Sequence, residues 1–151
     1  MLASSYPLVA AFGAIFLAQF LKPILHYFFT KEFEWKLLLA SGGFPSSHTA
    51  GVSAITLAVG INHNFSSELF AVTLILAIVI SYDAMNVRYY AGQNIQITQQ
   101  LIRDLTELSQ IQLSDPIYFT KMKDVLGHKW FEVIGGILLG LSVSGVLYFI
   151  K

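Results

Sequence analysis

Four apolar stretches dominate this chain, and each is close to the roughly 20 residues that carry a helix across a bilayer. They run over about 6–29, 46–62, 67–90 and 130–150. Backbone polar groups in hydrocarbon must be satisfied within their own segment, so stretches of this length read as α-helices. The composition agrees. Charged residues make up 12% of the chain, about half the share in a soluble domain, and mean hydropathy is +0.64. The first stretch has no basic n-region and no convincing small-residue cleavage site, so it reads as a span and not as a signal peptide. The expectation is an all-α polytopic membrane protein, one domain over 1–151, with about four transmembrane helices.

Between the third and fourth spans the pattern changes. Ile95, Leu101, Leu105 and Leu108 fall near helical spacing, which predicts an amphipathic helix over about 94–110, lying on the membrane surface or against a neighbouring chain. Asp115 and Pro116 mark a turn after it. The 30–45 and 92–129 connections fall on one side of the membrane and carry Lys31, Lys36, Arg103, Lys121, Lys123 and Lys129; the other side has only Lys151 near a membrane end. Positive residues stay cytoplasmic, which puts both large connections in the cytoplasm and both termini outside. A formal net charge of zero argues against a nucleic-acid partner held by phosphate neutralisation. With no cysteine, disulfides and thiolate metal sites are excluded.

Polar groups inside membrane spans are costly and usually functional. Lys22 lies late in the first span, and "SGGFPSSHTAG" (41–51) opens the second. Asp83 and Arg88 sit near the end of the third, and His128 and Glu132 at the start of the fourth. Alternating span direction brings all of these to the side of the two large connections. Each has a plainer explanation. Lys22 can snorkel to the headgroups, one serine can simply cap a helix, and Glu132 suits a helix first turn. His26 and His63 lack companions of this kind and read as an interfacial and a loop residue. Taken together the groups suit phosphoryl transfer. Cations and a serine-rich helix start form an anion cradle, and Gly42–Gly43 lets backbone approach closely. One imidazole can attack phosphorus while a second protonates the leaving oxygen. The i,i+4 spacing of His128 and Glu132 puts carboxylate and imidazole on one helix face.

These residues also resemble a known family. "PSSH" (45–48) is similar to the PSGH motif of the type 2 phosphatidic acid phosphatase and vanadium haloperoxidase superfamily, and "GHKWFE" (127–132) to the end of its third motif. The nearer match is that superfamily's small divergent membrane branch, through "AQFLK" (18–22), "GGFPSSHTA" (42–50), "YDAMNVRYYAGQ" (82–93) and "KDVLGHKWFEVIGG" (123–136), in order along most of the chain. The resemblance implies a metal-independent lipid phosphatase without cofactor. In it His128 forms a phosphohistidine, Glu132 orients it and His48 is the general acid. Ser46 and Ser47 hold phosphate oxygens, and Lys22 matches the first-motif lysine. Gln19 and Gly43 fall in the same motifs, as supporting residues.

Three departures stand out. Ser47 replaces the motif glycine, Met122 stands where the third-motif arginine belongs, and the first motif lacks its arginine–proline ending. Arg88 and Lys123 are the candidates for the lost phosphate-binding charge, with Asp83 positioning Arg88. The expected substrate is a lipid phosphate or pyrophosphate at the cytoplasmic interface. Competing readings are a catalytically inactive lipid-phosphate binder, a small anion channel or transporter, and a scaffold. A homodimer through small-residue helix faces, such as that of Gly136 and Gly140, is a further expectation.

Overall fold

A computed structural model describes residues 2–40, 42–109 and 128–150, with five α-helices and a short 3-10 helix and no strand among them. The helices are α1 (Leu2–Thr30), α2 (Ser47–His63), α3 (Glu68–Met85), α4 (Val87–Ser109) and α5 (Trp130–Ile150), with the 3-10 turn at Trp35–Leu39. Among the described residues, three candidate spans are long and apolar enough to cross a membrane: Ser5–Thr30, Glu68–Glu107 and Trp130–Ile150. The chain is an all-α membrane protein.

The second helix is the exception and the centre. It has 17 residues, and Ser47, Thr49, Ala50, Gly51, Ser53, Ala54, Thr56, Ala58, Val59 and Gly60 are all buried. α1, α3 and α5 pack around it. Small side chains explain the arrangement: in lipid, helices associate by close packing and hydrogen bonds and not by escape from water. At Gly140 a Cβ would strike the Ala50 carbonyl, and at Gly136 it would strike Thr49 Oγ1 and the Ser46 carbonyl. The Gly136–Gly140 face, expected as a dimer contact, is thus occupied within the chain. Thr56 Oγ1 donates to Val52 O at 2.7 Å and Thr73 O at 3.2 Å, which ties α2 to α3. Far from the site, Tyr6 OH donates to Ser144 O at 2.7 Å and joins α1 to α5. The outward faces are apolar, and Val72, Ile75, Ile78 and Val79 of α3 are exposed as lipid-facing residues would be.

Two boundaries differ from the sequence reading. The third apolar stretch, expected to continue to about residue 90, ends as α3 at Met85, and the amphipathic helix begins at Val87 instead of about 94. Asn86 joins them, its N–H on Tyr82 O at 3.0 Å and its carbonyl accepting from Tyr90 N–H at 2.9 Å. The junction therefore keeps helical bonding while the pattern changes from all-round apolar to one-sided. Pro23 lies inside α1. Asp115, Pro116, Lys121, Met122 and Lys123 lie outside the described residues.

Candidate functional site

The site gathers at one end of the bundle, where α2 and α5 begin and α3 ends. Ser46 is the N-cap of α2, its Oγ accepting from Thr49 N–H at 3.4 Å. Its own N–H donates to Glu132 O at 2.9 Å. Thr49 Oγ1 donates to Val133 O at 3.2 Å, a second tie between the two helix starts. Ser46 is fully buried. The hydroxyl expected to hold a phosphate oxygen is therefore engaged in the α2 cap, because residue 46 is where the helix needs its cap. Ser47 and His48 follow as the first residues of α2, where N–H groups have no acceptor within the helix.

His128 is held on two sides. Its N–H donates to Ala84 O at 3.1 Å, which places it against the last turn of α3. Its Nδ1 lies 2.8 Å from Glu132 Oε2. An ionised carboxylate only accepts, so in the neutral imidazole the ring proton sits on Nδ1 and the lone pair on Nε2. The same carboxylate oxygen accepts Lys129 N–H at 3.2 Å, reaching back to the residue before α5 as a capping-box glutamate does. His128 is 2% exposed, and Nε2 is buried without a hydrogen-bond partner among the described residues. A buried, unpartnered nitrogen is costly in a finished fold. The His48 ring stands 6.0 Å away, centroid to centroid, tilted by 66°. His48 is exposed, unlike its neighbour.

Lys22 does not snorkel. It is 2% exposed, and Nζ donates to Ala40 O at 2.9 Å. Gln19 Nε2 donates to the same carbonyl at 3.1 Å. The two side chains sit a helical turn apart and grip the strap that leads into α2. Gly43 lies in that strap with φ of 94°, a conformation that L side chains rarely adopt. Lys22, Gly43 and Glu132 line one cavity of about 570 Å3, together with Leu25, His26, Phe29, Leu37, Phe44, Lys129 and Phe131. A second, of about 480 Å3, is lined by Met85, Asn86, Tyr89, Tyr90, His128, Lys129, Trp130 and Phe131.

Most of the expected residues therefore meet: Gln19, Lys22, Gly43, Ser46, Ser47, His48, His128 and Glu132. Asp83 is half-buried on α3, one residue before the carbonyl that holds His128. Arg88 is in the first turn of α4, but its side chain lies outside what the structure describes, as does Lys123. The reading of residues missed Lys129, which lines both cavities, and took His26 as merely interfacial although it lines the larger one. Adjacency to His128 was the available signal for Lys129. Nothing in the sequence marked Leu37, Phe44 or Phe131 as cavity walls, since each looks like any other apolar residue near a membrane end.

"Uncharacterized membrane protein YuiD" of Bacillus subtilis (strain 168) is 32% identical over 151 residues, which cover 97% of this chain and 96% of that protein. No solved structure matches. The family described as "Divergent PAP2 family" matches residues 3–143, nearly the whole chain. This chain belongs to the divergent PAP2 family.

Proposed function

We propose that the protein is a metal-independent phosphatase that hydrolyses a lipid phosphate or pyrophosphate at the membrane interface. One observation carries the reading: His128 is oriented by Glu132 through Nδ1, while Nε2 stays buried and, among the described residues, without a partner. That is the preparation a nucleophilic imidazole requires. In the first step Nε2 attacks phosphorus, and the bond from phosphorus to the leaving oxygen breaks as His48 delivers a proton to that oxygen. In the second, His48 removes a proton from water, the resulting hydroxide attacks phosphorus, and the N–P bond breaks to release phosphate. The negative phosphoryl oxygens are met by Lys22, by Ser47 and the first N–H groups of α2, and by Arg88, Lys123 and Lys129. Ser46 serves this cradle indirectly, by fixing the start of α2. Glu132 keeps the imidazole in one tautomer and balances the charge it gains.

The chain would cross the membrane several times, with the site on the cytoplasmic side, as the lysine-bearing connections support. The deciding experiment is phosphate release by the purified protein from a panel of lipid phosphates. Release by the wild type and none by a folded His128→Asn variant supports the mechanism; near-normal release by that variant rejects it.

A further inference from the structure

Lys22 must hold a charge in one place with a flexible side chain. Its stem has four carbons and its ammonium three rotatable donors, yet it is 2% exposed and donates to Ala40 O at 2.9 Å. The stem runs beside Gly43, where an added Cβ would lie 3.8 Å from Lys22 Cδ. Ala40 belongs to the strap and not to α1, so this bond by itself fixes the ammonium only as well as the strap is fixed. Ala40 N–H donates to Leu37 O at 3.2 Å, a bond made within the strap.

Gln19 closes the arrangement. It lies three residues before Lys22 on the same face of α1, and its Nε2 donates to the same Ala40 carbonyl at 3.1 Å. A carbonyl oxygen has two lone pairs and accepts both donors. Two bonds from one helix to one oxygen tie the carbonyl to α1, and the carbonyl in turn limits where Nζ can sit. The other end of the amide speaks against a merely structural grip. Gln19 Oε1 is buried without a hydrogen-bond partner among the described residues, which lowers stability. Turning the amide over gives no relief, because it would set Oε1 against the Ala40 oxygen. An apolar side chain of similar size would avoid that penalty and lose only the N–H on Ala40 O.

Resting on the phosphatase reading above, we infer that Gln19 is a positioning residue for Lys22. Acting through the Ala40 carbonyl, it holds the ammonium at the edge of the cavity where phosphate oxygens are met. One Nζ donor stays on the carbonyl, and the others turn to a ligand in the cavity that Lys22 lines. A cation fixed before the ligand arrives needs no rearrangement as charge develops. Without Gln19 the carbonyl follows the strap, and the lysine spreads over several rotamers.

The test uses the intact protein in detergent with Gln19→Leu, and with Gln19→Met as a second variant that keeps the reach of the side chain. A water-soluble acetylating reagent and peptide mass spectrometry compare Lys22 with the exposed Lys31 and Lys36. Acetylation of Lys22 should become at least about fivefold faster in both variants while the other two lysines keep their rates, as a local opening requires. A wild-type rate at Lys22 overturns the inference, and so does an equal rise at all three lysines, which marks general loosening. This readout needs no turnover, so it separates failure of the positioning role from failure of the phosphatase reading. Where phosphate is released, Gln19→Leu should lower kcat/KM at least about tenfold in the wild-type background and less than about twofold in Lys22→Ala, because the two residues act as one unit. The same loss in both backgrounds would make Gln19 structural and overturn the inference.

Discussion

Glu132 performs two tasks with one oxygen, accepting both His128 Nδ1–H and the Lys129 N–H. Replacing it with glutamine keeps the shape and removes the charge that balances an imidazolium. Glu132→Gln should lower phosphate release by at least about a hundredfold, the order expected when acid–base chemistry is disabled. Retained helicity and melting temperature would show that the loss is chemical; unchanged turnover would mean that the pair is structural only. The cations make a second residue-level case. Losing one donor that contacts a transition-state oxyanion typically costs about 3–4 kcal/mol, whereas a surface charge is worth about 0.5 kcal/mol or less. Lys22→Ala and Arg88→Ala should each lower kcat/KM by about a hundredfold or more. Lys123→Ala and Lys129→Ala, compared side by side with Arg88→Ala in the same assay, test which cation takes the place of the third-motif arginine. If all four variants hydrolyse substrate normally, the cradle is built from other groups. His48→Ala should hurt most on substrates with poor leaving groups, because its task is protonation; equal losses on good and poor leaving groups would remove it from that role.

At the scale of elements, the approach of α2 and α5 holds the two histidines in register. A Cβ at Gly136 would meet Thr49 Oγ1 and the Ser46 carbonyl, and neither can move without disturbing the α2 cap. Gly136→Ala should therefore cost about 1–3 kcal/mol, the usual penalty of overpacking. Gly145→Ala, facing open space on the same helix, should stay within about 0.5 kcal/mol. Thermal unfolding in detergent measures both, and equal effects would contradict the close packing. The strap between α1 and α2 is the other sensitive element. Gly43→Ala forces a Cβ into a left-handed conformation and should destabilise by about 1 kcal/mol or more. It should also weaken Lys22→Ala-sensitive substrate binding, since both residues border the same cavity. Helix boundaries were least legible at Asn86. The apolar run and the amphipathic run share one nearly continuous set of helical bonds there, so no proline or glycine announces the change.

For the whole molecule, chelation should leave phosphate release unchanged and vanadate should inhibit it, because the proposed charges are handled by side chains; activity restored only by a divalent metal would reject this. Orientation can be tested directly because the chain has no cysteine. Ser66→Cys should react with an impermeant maleimide in intact cells, and Glu34→Cys only after lysis; the reverse pattern would put the site outside. The sequence by itself determined the membrane class, the helical architecture and the joint His128–Glu132 spacing, because hydrocarbon length and helical period are local properties readable in a row of residues. It also named the convergence of Lys22, His48 and His128, since alternating spans return to the same face. What only the tertiary structure decided is which polar groups are already engaged. Ser46 caps α2, Lys22 and Gln19 hold the Ala40 carbonyl, and the Gly136–Gly140 face closes on α2. Those assignments depend on distances between residues far apart in the chain, as does the joining of Leu37, Phe44 and Phe131 into one cavity wall, and no local pattern encodes them.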